Sequence, residues 1–197
     1  MLRLFGEKSW PVAFAVSLLA SLSAQGPLHT RAVINDSRSH GKLGDGLLSL
    51  NEGILLHNLT LTRSQLSAAE LKQIQGVGDI ATLEISATTV PKIALERDLV
   101  LIKGSQHGFT LEGAQGMPII DFGAHGEIKI VGDYCAFRNL HFRGGQRAIH
   151  LTQNDVLFGA LFEDMRFEGQ AGTALTVMAT QIRGNTRMLG SRLPMSS

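Results

Sequence analysis

The strongest constraint on the fold is an internal repeat. Ala136-Phe-Arg-Asn-Leu-His-Phe-Arg-Gly144 overlays Leu161-Phe-Glu-Asp-Met-Arg-Phe-Glu-Gly169 at a constant offset of 25 residues. Phe137 meets Phe162, Phe142 meets Phe167 and Gly144 meets Gly169, while Asn139 falls on Asp164. The run that follows repeats too: Ile149-His-Leu151 matches Leu175-Thr-Val177 at an offset of 26, and Ile128-Lys-Ile130 precedes it by 21. Two Phe-rich strands of a sandwich can share phenylalanines by chance. Sharing the turn position, the glycine and the next strand points instead to one structural unit used twice. A unit of this length holding several short strands buries its apolar side chains only by stacking on its neighbours, which defines a β-solenoid. Phe142 is then expected over Phe167 in the interior. Outside, Arg138 falls over Glu163 and Arg143 over Glu168, stacking opposite charges.

Short β-like runs extend the pattern upstream: Ile80–Ile85, Leu99–Ile102, Phe109–Leu111, Ile119–Phe122 and Ile128–Val131. Residues 27–46 are polar and turn-rich. Next comes Ser49-Leu-Asn-Glu52, a capping box that predicts a short helix over about 50–58; Ser67-Ala-Ala-Glu70 predicts a second, running through Leu71 and Ile74 and stopped by Gly76 and Gly78. The expected fold class is all-β: a short or incomplete right-handed parallel β-helix preceded by short helices. Its expected parts are a leader over 1–26, an N-terminal segment over 27–79 as a candidate cap, rungs over 80–178, and an uncapped polar tail over 179–197. Such an end calls for further rungs or a partner to cover it.

The leader rests on charge and hydropathy. Arg3 and Lys8 precede Val12-Ala-Phe-Ala-Val-Ser-Leu-Leu-Ala-Ser-Leu-Ser-Ala24. That run falls short of the roughly 20 residues that span a bilayer but suits a signal-peptide core, and small residues follow it. A secreted, periplasmic or cell-surface location is expected, with no membrane span once the leader is removed. The 18 basic against 17 acidic residues give no electrostatic case for nucleic acid. Cys135 is alone, so no internal disulfide forms; it reads as a small core residue.

Met117-Pro-Ile-Ile-Asp-Phe-Gly, Ile128-Lys-Ile-Val-Gly-Asp-Tyr134 and the two repeats together resemble the pectin-lyase-like superfamily of right-handed parallel β-helices. Over about residues 99–178 the order of motifs is most similar to the early rungs of family-nine pectate lyases. Asp45-Gly-Leu-Leu-Ser-Leu-Asn-Glu-Gly-Ile54 is similar to a segment that opens exported bacterial β-helix proteins, with Asn51 in place of its arginine and Gly53 in place of its alanine. The resemblance implies that Asn139 and Asp164 occupy a tight turn, where asparagines of successive rungs bond one another. It also implies, for calcium-dependent lyases, an aspartate just before each of two successive strands. Here those positions hold Gln146 and Gly172, neither a charged ligand.

On the strand matched across rungs, Ile128/Ile130, Ile149/Leu151 and Leu175/Val177 should point inward. Lys129, His150 and Thr176 then form one outward column, with Gln146 and Arg147 at its margin. In the similar β-helices this face forms a saccharide groove. Cationic side chains pair with uronic-acid carboxylates, and Gln and Thr with hydroxyls. A column that is polar only because it meets water is the competing reading. His107, His125 and His141 lack metal-ligand spacing, and no nucleophile elbow or phosphate loop is present. Asp121 is expected to satisfy turn amides, and Asn58-Leu-Thr60 is a glycosylation sequon. The expected function is an exported module that binds polysaccharide, acidic by its counter-charges, or forms part of a larger surface protein, with no catalytic residue and no cofactor. The alternative is a fragment of a pectate-lyase-like polysaccharide lyase, which alone would call for calcium.

Overall fold

The structure is a computed structural model that describes residues 30–103, 108–132, 134–152, 156–178, 181–183 and 187–189. The expected leader, His107, the Val177 side chain and most of the tail lie outside the described residues.

The chain forms β1 (Thr30–Ile34), helix α1 (Leu50–His57), a 3-10 turn at Arg63–Gln65, the single-turn helix α2 (Ala68–Leu71) and β2 (Ile74–Gln75). Then it winds. The first coil is β3 (Ile80–Ser86), β4 (Lys92–Ala94) and β5 (Ile102–Lys103); the second is β6 (Phe109–Ala114), β7 (Ile119–Gly123) and β8 (Ile128–Val131). The third is β9 (Cys135–Arg138), β10 (His141–Gly144) and β11 (Ile149–Thr152), followed by the short β12 (Val156–Phe158). The next is β13 (Ala160–Glu163), β14 (Arg166–Glu168) and β15 (Leu175–Met178), after which β16 (Gln181–Arg183) and β17 (Arg187–Leu189) follow. Equivalent strands pair in parallel, giving sheet A (β17-β13-β9-β6-β3-β1-β2), sheet B (β14-β10-β7-β4) and sheet C (β15-β11-β8-β5). Among the described strands, only β1 and β2 pair antiparallel. The result is a right-handed parallel β-solenoid.

Three interior columns hold it together. Leu83, Leu111, Phe137 and Phe162 share a register on sheet A. Ile93, Ile120, Phe142 and Phe167 share one on sheet B. On sheet C, Ile102, Ile130 and Leu151 do the same. All of these are buried. The Phe137 and Phe162 rings stack with centroids 5.7 Å apart, and Phe142 lies 5.8 Å from Phe167, tilted by 54°. The expected phenylalanine register is the observed one. Cys135 is buried on the same interior, beside Phe109 and Ala160 in register.

Asn139 and Asp164 both adopt left-handed backbone, at φ 51°, so the expected turn is present. The asparagine bond differs from the expectation. Asn139 Nδ2 donates to the carbonyls of Gly113 and Gly116, because its register partner below is a glycine rather than a second asparagine. Gly113 is obligatory there: a Cβ would stand 2.2 Å from Asn139 O.

The N-terminal segment closes the first coil on all three faces, as an unprotected strand edge would otherwise be a template for association. On sheet A, β1 pairs with β3. On sheet B, Arg38 bridges Ala94. On sheet C the C-terminus of α1 imitates a strand: Asn58 Nδ2 donates to Leu101 O at 2.7 Å and Oδ1 accepts from Lys103 N at 2.9 Å. His57 Nε2 lies 2.8 Å from Lys103 O. The helix forms as its capping box predicts, Ser49 and Glu52 each bonding the other's backbone N–H. Gly53 lets it approach the coil, since a Cβ there would meet Ile34 Cδ1 at 2.8 Å.

Four expectations change. Residues 30–34 form a strand inside the stretch read as turns, with alternating burial over only five residues. Leu99–Ile102 yields only Ile102–Lys103, because the chain ahead of it is docked on the cap through Val100 N to Asn51 Oδ1. The second helix stops after one turn, because Ile74 and Gln75 pair with Ala32 and Arg31. Strands also continue past residue 178, where β16 pairs with β12 and β17 with β13.

Candidate functional site

Each sheet turns one side of its strands outward, and the three outer faces handle charge differently. On sheet A, Arg138 stands between Glu112 at 3.8 Å and Glu163 at 3.2 Å, the second being the stacking expected from the repeat. On sheet B, Asp121 takes Lys92 at 2.7 Å and also bonds Arg143. Asp121 accepts from Gly123 N as well, so it does satisfy a turn amide. The hydrogen bond from Lys92 is the main reason its carboxyl is held down to about 2, with Arg143 and the Gly123 N–H adding to it against partial desolvation. Arg143 lies in register with Glu168, yet its ion pair is with Asp121 one coil back. Glu168 instead has His141 Nε2 at 3.0 Å and Arg166 at 2.9 Å. Burial first, then the nearby Arg166, pushes the His141 ring below its usual value. Sheet B therefore draws Lys92 and Arg143 into short pairs on Asp121, while His141 Nε2 lies at ion-pair distance from Glu168 without hydrogen-bond geometry.

Sheet C is different. Lys129, His150 and Thr176 lie in one register on β8, β11 and β15, as the repeat predicts. Lys129 and Gln146 are exposed; Arg147, His150 and Thr176 are half-buried. Gln146 and Gly172 are matched across the coils by the bond from Gly172 N to Gln146 O. Both positions lack a carboxylate, as read from the sequence.

The residue that organises this face is one that sequence reasoning missed. Glu127, immediately before β8, has a side chain only 12 % exposed. Its Oε1 lies 3.6 Å from Lys129 Nζ and 3.3 Å from His150 Nδ1, and its Oε2 lies 3.4 Å from Arg147 Nε. Three basic side chains from two coils thus converge on one carboxylate. The signal was present, since Glu127 lies just before its strand and Arg147 two positions before the next, but the offset of 21 between those strands hid it from a 25-residue frame. Glu127 Oε2 is buried with no aligned hydrogen-bond donor, so the Arg147 contact is an ion-pair distance without hydrogen-bond geometry. Among the described residues no group of three or more His, Cys, Asp or Glu is placed to hold a metal ion, and no helix is long and apolar enough to cross a membrane.

The sequon also acquires a definite role. Both polar atoms of Asn58 are used in docking α1 onto sheet C, so in the folded chain its amide is structural.

Comparison with family models, with curated proteins and with solved structures finds no match.

Proposed function

We propose that this chain is an exported, non-catalytic β-solenoid module that binds carboxylate-bearing polysaccharide along sheet C. One observation carries the reading: two permanent cations, Lys129 and Arg147, share a single carboxylate at 3.4–3.6 Å. One positive charge is left over to meet a ligand carboxylate. Charge-assisted bonds of full strength run at about 2.7–2.9 Å, so these contacts are loose. Sheet B has the same count, Lys92 and Arg143 on Asp121, and differs in holding both cations in short pairs. Thr176 and Gln146 add hydroxyl-reading groups to the same face. The repeated strands keep the column straight, which suits an extended polymer with a regular spacing of acids. Kinship with the early rungs of family-nine pectate lyases belongs to the same proposal, resting on Pro118-Ile-Ile-Asp121 and the repeats. Gln146 and Gly172, standing where the calcium-binding aspartates of those lyases would be, favour binding without elimination. Export rests on the charged, apolar, small-residue order of the first 26 residues.

The test is retention on immobilised polygalacturonate, alginate and a neutral glucan, with calcium and with chelator, while watching for unsaturated product. Retention on the two acidic polymers that weakens with salt, and that is lost in the Lys129→Ala/His150→Ala double variant at unchanged melting temperature, supports the reading. Retention equal in the double variant sinks the site. Product that requires calcium sinks the non-catalytic assignment.

A further inference from the structure

The basic groups that would take a ligand carboxylate are the same ones already gathered by a carboxylate of the chain. We propose that Glu127 is a built-in competitor for the sheet C site: an acidic glycan binds by displacing Lys129 and Arg147 from Glu127 rather than by meeting unoccupied cations. This inference rests on the reading of sheet C as a carboxylate site and specifies how that site is tuned.

Three features support exchange over a fixed structural pair. The contacts are long, 3.3–3.6 Å, where Lys92 to Asp121 on sheet B is 2.7 Å. Glu127 Oε2 has no aligned donor, so its present arrangement leaves part of its acceptor capacity unused. Two of the partners reach outward while Glu127 is more buried: Lys129 and Arg147 have side chains 60 % and 41 % exposed, against 12 % for Glu127. A polymer approaching from solvent therefore reaches Lys129 and Arg147 first, and both can swing outward without disturbing the interior columns, whereas His150, 16 % exposed, stays beside Glu127. A residue serving only to position the cations would act in the opposite sense, and its removal would weaken binding. The two roles differ in sign, which makes them separable.

The experiment measures affinity for a defined galacturonate oligomer by titration calorimetry at low and moderate salt. It compares the parent chain with Glu127→Gln, which removes the charge and keeps the shape, and Glu127→Asp, which keeps the charge and shortens the reach. A thermal melt of each reports folding. The expected result is binding tightened about tenfold in Glu127→Gln with a steeper salt dependence, as loss of one opposing charge beside a partly exposed site allows, and a smaller gain in Glu127→Asp. Equal or weaker binding in a folded Glu127→Gln overturns the competitor while leaving the sheet C reading intact. Binding by Glu127→Gln where the parent binds none supports the competitor and overturns the reading that the native chain binds acidic glycan. No binding by either chain overturns both.

Discussion

Replacing Phe142 by alanine should remove a larger share of the stability than any outward substitution on the same coil. Phe142 is fully buried at the point where sheets A and B meet inside the solenoid. Its ring centroid lies 5.7 Å from Phe122, 6.3 Å from Phe137 and 5.8 Å from Phe167. It therefore touches one coil below, its own coil and one coil above. A phenylalanine withdraws roughly 150–250 Å² from water, which at about 25 cal/mol per Å² is about 4–6 kcal/mol as an upper value. Measured truncations of buried Phe give about 3–5 kcal/mol because the cavity relaxes only in part. Two features favour the upper half of that range. The neighbours are strands fixed by parallel ladders on both sides, which resist collapse, and three aromatic contacts are lost at once. Against a typical domain stability of about 5–15 kcal/mol, the loss brings the variant close to unfolding at 37 °C. Urea titration followed by circular dichroism, at constant slope, reads the change directly, and Phe142→Leu should recover most of it. A Phe142→Ala change below about 1 kcal/mol would refute the interior stacking on which the register depends.

Asn58→Asp should destabilise by about 1–3 kcal/mol, because a carboxylate cannot donate to Leu101 O where the amide does; a melting temperature equal to the parent's would show that α1 is not latched there. Asp121 gives an acid-limb signal: its carboxyl is held at about 2, below its unfolded value, so its contribution is complete above about pH 4 and is lost as pH falls through about 2. After allowance for solvent screening this is on the order of 1 kcal/mol, and Asp121→Asn should flatten that limb. His141 acts at higher pH and in the same direction: its ring is lowered by burial, so stability is full above about pH 6.5 and declines below it. His141→Gln should remove that decline between pH 7 and 5, and an unchanged profile would contradict the burial argument.

What the sequence discloses follows the period of the repeat. Phe137, Phe142, Phe162 and Phe167 sit at a constant offset, so their stacking is legible from spacing alone, as is the outward order of Lys129, His150 and Thr176. What stays hidden breaks that period. The turn between sheets A and B is longer in the second coil than in the third, which cuts the offset from 26 on sheet A to 22 on sheet B and 21 on sheet C, so Glu127 slips out of the 25-residue frame although its charge faces the sheet C cations. β1 and β2 escape because five- and two-residue strands carry too little alternation to stand out from turns. Asn58 reads as a sequon because its local sequence fits one; its bonds to Leu101 and Lys103 are set by tertiary docking more than forty positions away.

The most direct test of the sheet C site is to map where an acidic glycan touches the folded chain. Nuclear magnetic resonance titration with a short galacturonate oligomer, followed through backbone and arginine side-chain signals, distinguishes the three outer faces without any substitution. Saturable shifts should cluster at Glu127, Lys129, Arg147, His150 and Thr176, with Lys92, Asp121 and Arg143 of sheet B unmoved. Shifts centred on sheet B or sheet A, or no saturable shift at all, would contradict a carboxylate site on sheet C.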